Sequence, residues 1–170
     1  MAKVRRVGYL EINQDLRFQR RFWRIQRVGW GVMVLLALAA LLGLLGPGLL
    51  SSTTLRTPNA SLRIEYDRFA RYQAPTQLKV HVASGSEREG VVQVWLNRDY
   101  LNEVQVTNVA PQPDSVTAGP DRLVYSFHVS RSDQPTLVIF YLEPEQFGQL
   151  SGRVGLGEQE FLNFRQFIYP

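Results

Sequence analysis

Residues 76–82 read TQLKVHV, and this stretch decides how the rest of the chain is read. Leu78, Val80 and Val82 fall on one parity, with Gln77, Lys79 and His81 on the other. A strict period of two marks a strand with one buried and one wetted face. The same pattern returns at 122–129, where Leu123, Tyr125, Phe127 and Val129 oppose Val124, Ser126 and His128. Working outward, runs rich in Val, Ile, Leu, Thr and aromatics lie between Gly, Pro, Asp and Ser clusters. Strands are expected at 61–66, 76–82, 91–97, 103–109, 122–129, 136–142, 151–156 and 161–169. No run among them has a helical period, though residues 66–72 have room for one turn. Seven or eight short strands over about 110 residues imply an all-β domain, an immunoglobulin-like antiparallel β-sandwich, with a small barrel as the alternative.

Before this domain the sequence changes character. Residues 28–50, VGWGVMVLLALAALLGLLGPGLL, contain no charge, and roughly 20 such residues cross a ~30 Å hydrocarbon layer as a helix. No polar residue marks an outer face, which argues against a buried helix of a soluble domain. A cleaved signal peptide is disfavoured because the basic region ahead of it is long and no convincing small-x-small site follows Leu50. The chain therefore divides into a basic segment 1–27, a transmembrane helix 28–50, a polar linker 51–60 and an exported β-domain 61–170. Ala39, Ala40, Gly43 and Gly46 form a small-residue stripe suited to close packing against another helix.

Charge is split between the two ends. Residues 1–27 carry eight Arg and Lys against Glu11 and Asp15, whereas residues 51–170 carry eleven against thirteen acids. Positive flanks stay inside, so the amino terminus is expected in the cytoplasm and the β-domain in the periplasm of a bacterial inner membrane. Arg17, Arg20, Arg21, Arg24 and Arg27, with Trp23 and Trp30 at headgroup level, suit anionic lipid or a partner loop; topology sorting alone requires only the charges. The acidic balance of the β-domain gives no footprint for nucleic acid.

Catalytic signatures are missing. The chain has no Cys, which removes disulfides, thiolate metal sites and Cys nucleophiles. Residues 152–160, GRVGLGEQE, lack the Lys and following helix of a phosphate loop and read as a Gly turn. No GxSxG, HExxH or EF-hand pattern occurs, and the two histidines fall on solvent-side parity of separate strands. No enzyme activity and no cofactor are expected.

Two strands break the simple alternation. In the run 91–97, Val92, Val94 and Leu96 take the core side and put Trp95 on the other, as a contact residue or under cover of neighbouring strands. The run 136–142 is apolar on both sides, so its second face needs a cover. Trp95, Tyr100, Val138, Phe140, Phe167 and Tyr169 are the expected docking surface. In layout the chain resembles small membrane-anchored proteins with an exported immunoglobulin-like domain. That resemblance implies an accessory subunit docked on integral membrane protein partners of a larger complex. The alternative is a tethered periplasmic module that binds a small molecule, glycan or peptide through Trp95, Tyr100, Tyr66, Phe69 or Tyr72.

Overall fold

A computed structural model describes residues 6–7, 10–11, 16–41, 51–87, 90–129, 134–157 and 160–170. The chain forms two compact units, Met1–Leu41 and Leu42–Pro170.

In the first unit a two-residue ladder pairs β1 (Arg6–Val7) with β2 (Leu10–Glu11), and helix α1 runs from Leu16 to Leu41 without a break. Its 26 residues, dominated by Leu, Ala, Val, Arg and Gln, rise about 39 Å. The basic residues from Arg17 onward and the apolar run up to Leu41 share this one helix. Phe22–Leu41 is long and apolar enough to cross a membrane, and it includes Arg24 and Arg27. Its large apolar side chains are all exposed, from 52% at Val32 to 77% at Leu41. Length and composition of this kind are shared by membrane spans and signal sequences.

The second unit is a β-sandwich. All eight expected strands are present: β4 (Leu62–Asp67), β6 (Thr76–Val82), β7 (Val91–Asn97), β8 (Val104–Ala110), β10 (Arg122–His128), β11 (Thr136–Pro144), β12 (Gly148–Leu156) and β13 (Glu160–Tyr169). Three more bring the described total in the two sheets to eleven rather than seven or eight: β3 (Ser52–Arg56), β5 (Phe69–Arg71) and β9 (Ser115–Ala118). Residues 51–60 are therefore not a plain linker, because most of the run is β3 and its turn. One sheet has the order β5-β13-β12-β7-β10-β9 and the other β3-β4-β6-β11-β8. Every pairing is antiparallel except β13 with β5.

The core lies between the sheets. Leu62, Ile64, Leu78, Val80, Val82, Val138, Phe140 and Leu142 come from one side, and Val92, Val94, Leu96, Phe127, Leu150, Val154, Phe164 and Ile168 from the other. Aromatic rings cross the gap, Tyr66 to Phe164 at 5.1 Å and Tyr125 to Phe140 at 5.0 Å between centroids. Strand β11 is apolar on both faces, and its even positions turn inward. Val138 and Phe140, expected on the docking surface, are fully buried core residues. The outward positions are Leu137, 42% exposed, with half-buried Ile139 and Tyr141.

Candidate docking surface and the cleft beside α2

Trp95 occupies the outer face of the six-stranded sheet, as its parity requires, yet it is only 7% exposed. Across five strands Thr117, Val124, Trp95, Gly155 and Phe161 stand opposite one another in register. Gly155 has no side chain, so the indole lies down over it; a Cβ there would come within 2.4 Å of the ring. The indole Nε1–H donates to the Gly157 carbonyl at 2.6 Å, and the Arg122 guanidinium caps the ring at 4.8 Å from its centroid. The polar tip is satisfied and the faces are covered, so Trp95 is a packed residue and not a free contact. Cover by neighbouring strands is the reading that holds.

Tyr100 is likewise interior. Strand β12 pairs with β13 over Gly148–Leu156 but with β7 only over Val154–Leu156. The opening left where β12 leaves β7 is filled by α2 (Arg98–Leu101), a single turn that packs on β12, β7 and β8. Asn97 Oδ1 accepts the Arg153 N–H at 2.6 Å and replaces part of the missing ladder. The Tyr100 ring enters the core edge-on to Phe164, and its hydroxyl donates to Gln166 Oε1 at 2.6 Å. Gln166 Nε2 donates in turn to the Asp67 carbonyl at 2.9 Å, so the three residues join both sheets. Burial, aided by the negative charge of Glu103, pushes the Tyr100 hydroxyl far above the ordinary tyrosine range, and it stays a neutral donor.

On the solvent side of this opening lies a depression of about 770 Å³, bordered by Asp99, Glu103, Ser151, Arg153, Asn163 and Arg165. It presents both signs of charge, suited to a polar partner, and places no nucleophile against a base. Among the described residues no group of three or more His, Cys, Asp or Glu is arranged for a metal. His128 is exposed, with Nδ1 3.7 Å from Asp114 Oδ2. His81 is half-buried instead of fully wetted, with Nε2 3.4 Å from Glu65 Oε1.

The remaining expected contact residues divide. Phe167 is 51% exposed and Tyr169 half-buried, both on the outer side of β13. Sequence reading missed Phe147, 62% exposed in the β11–β12 turn and packed on Tyr72 with ring centroids 4.4 Å apart and planes tilted by 47°. An isolated Phe in a turn has no periodicity to reveal it. In α1, Trp23 and Trp30 are exposed and the Arg27 guanidinium sits 4.9 Å from the Trp23 ring. Ala40 and Arg24 are exposed and Ala39 partly covered. The side chains of Arg17, Arg20 and Arg21, and Gly43 and Gly46 altogether, lie outside the described residues.

No protein-family model matches the chain, and no curated protein matches its sequence. Solved structures similar to it include the cohesin module from a Clostridium perfringens family 33 glycoside hydrolase. That module is 14% identical, with a TM-score of 0.40, over 69% of this chain and 96% of the module. The β-sandwich assignment stands on the two sheets and their shared core.

Proposed function

We propose that this chain is a non-catalytic, single-pass accessory subunit of a bacterial inner-membrane complex. Its amino terminus is cytoplasmic, and its β-sandwich docks on the periplasmic face of integral membrane protein partners. The observation that carries the reading is the uncovered apolar length of Phe22–Leu41 ahead of a self-contained sandwich. The Arg-rich first half of α1 supports the orientation through the positive-inside rule. The half-covered outer stripe of β11, Leu137, Ile139 and Tyr141, now supports docking in place of Val138 and Phe140. The small residues Ala39, Ala40, Gly43 and Gly46, the first two of them in α1, are the stripe along which a partner helix would approach closely.

The rival reading, a tethered module for a small molecule, glycan or peptide, has lost most of its residues. Trp95, Tyr100 and Tyr66 are interior, which leaves Phe69, Tyr72 and the charged depression. Purification in mild detergent separates the two. Stoichiometric membrane partners that are lost in Leu137→Glu support the subunit reading. A monodisperse monomer overturns it.

A further inference from the structure

The chain joins the sandwich at one corner. Ser51 is fully buried, its Oγ donates to the Phe69 carbonyl at 3.1 Å, and its carbonyl accepts the Arg68 N–H at 2.7 Å. Strand β5 is thereby fastened to the point where the polypeptide arrives from α1. At the same end Phe167 stands opposite Phe69 in the parallel β13–β5 pair, and Tyr169 stands opposite Arg71. The Tyr72 N–H donates to the Tyr169 carbonyl at 2.8 Å, and the Phe147 ring packs tilted against Tyr72. Phe147 and Phe167 are each more than half exposed, and Arg68 and Arg71 are exposed beside them. The carboxylates of this end include Asp67, which lines a depression with Phe69, Arg71 and Tyr169, and Asp99, Glu103 and Glu145, which belong to α2, its junction with β8 and the start of the β11–β12 turn. The Glu145 N–H donates to the Glu103 carbonyl at 2.9 Å, and the Gln73 N–H donates to the Pro144 carbonyl at 3.0 Å, which holds the start of this turn beside the end of β5.

We infer that this corner, Phe147 and Phe167 with Arg68 and Arg71, rests on a lipid surface carrying anionic headgroups. Aromatics flanked by Arg are the composition that partitions to the headgroup boundary, where ring and guanidinium both find partners. The inference rests on the anchored reading proposed above. Residues 42–50 span at most about 32 Å when fully extended, so an anchored sandwich remains within reach of the bilayer. Tethering supplies the effective concentration that a patch of two exposed rings lacks by itself.

The absence of Cys allows single labelling sites in the full chain. Phe147→Cys, Phe167→Cys, Leu137→Cys and Leu35→Cys, each carrying an environment-sensitive fluorophore, would be reconstituted in phosphatidylcholine vesicles with and without phosphatidylglycerol. Nitroxide lipids serve as quencher. The expected result is at least about twofold stronger quenching at 147 and 167 than at 137, on β11 at the far end of the sandwich, and weaker quenching without phosphatidylglycerol. Quenching at 147 and 167 equal to that at 137 overturns the inference, provided Leu35 is quenched. An unquenched Leu35 label overturns the anchored reading itself. Two labelled corner sites guard against one variant that disturbs the packing on Tyr72.

Discussion

Trp95 and Gly155 show how one residue's environment is written by a residue sixty positions away. The indole is flat against the sheet because its cross-strand partner has no Cβ. Gly155→Ala should force the ring, or the Glu160 carbonyl 2.6 Å from the same site, to move. We expect a loss of about 1–3 kcal/mol by urea denaturation, with quenched or shifted Trp fluorescence. Tyr100→Phe leaves the Gln166 amide oxygen buried without its donor, and an unsatisfied buried acceptor costs about 1–3 kcal/mol. The same measurement checks it, and a neutral result would mean that Gln166 finds another partner. Asp67 supplies a pH test. Burial raises its carboxyl above the ordinary 3.8 and Lys79 opposes the rise, so the folded state holds this proton more tightly than the unfolded chain. Its contribution to stability is present below 3.8 and is lost as pH climbs through the raised folded value. Asp67→Asn should therefore raise the melting temperature at neutral pH, and the gain should vanish in acid below 3.8.

At the scale of elements, β11 carries the clearest lesson. Seven consecutive residues, TLVIFYL, are nearly all apolar, and parity alone offers two equivalent faces. Pairing with β6 and β8 in the middle of a sheet turns Val138, Phe140 and Leu142 inward and leaves Leu137, Ile139 and Tyr141 on the outer side. Phe140→Ala should cost about 3–5 kcal/mol, as removal of a buried ring does. Leu137→Ser, on the other face of the same strand, should stay within about 0.5 kcal/mol. Equal losses at the two sites would contradict the assigned faces. The eight strands expected from the sequence are those whose runs carry several large apolar residues. The three that were missed have other grounds: β3 offers Leu55 as its one large apolar residue, β9 is exposed throughout, and β5 is three residues long. Each exists because a neighbouring strand supplies hydrogen-bond partners, and local composition does not record that. The turn α2 likewise depends on the gap between β7 and β12, which no window of sequence contains.

For the whole molecule, the division into an apolar helix and an all-β unit was legible from hydropathy and alternation, since both are periodic properties of contiguous residues. The expected docking residues fared differently: Val138, Phe140, Trp95 and Tyr100 are interior, and Phe167 and Tyr169 stand on an outer face. Exposure is a property of what lies across a strand or behind a turn, so it depends on partners distant in the chain. The sequence by itself determined an apolar helix long enough for a membrane, a two-sheet β domain and the inward parity of most of its strands. The tertiary structure alone decided which face of β11 is core, that Trp95 lies covered over Gly155, and that Ser51 brings the chain in beside Phe69, Phe167 and Phe147. Periodicity fixes the direction of a side chain relative to its own backbone, whereas cover requires a second segment, and only folding brings that segment near.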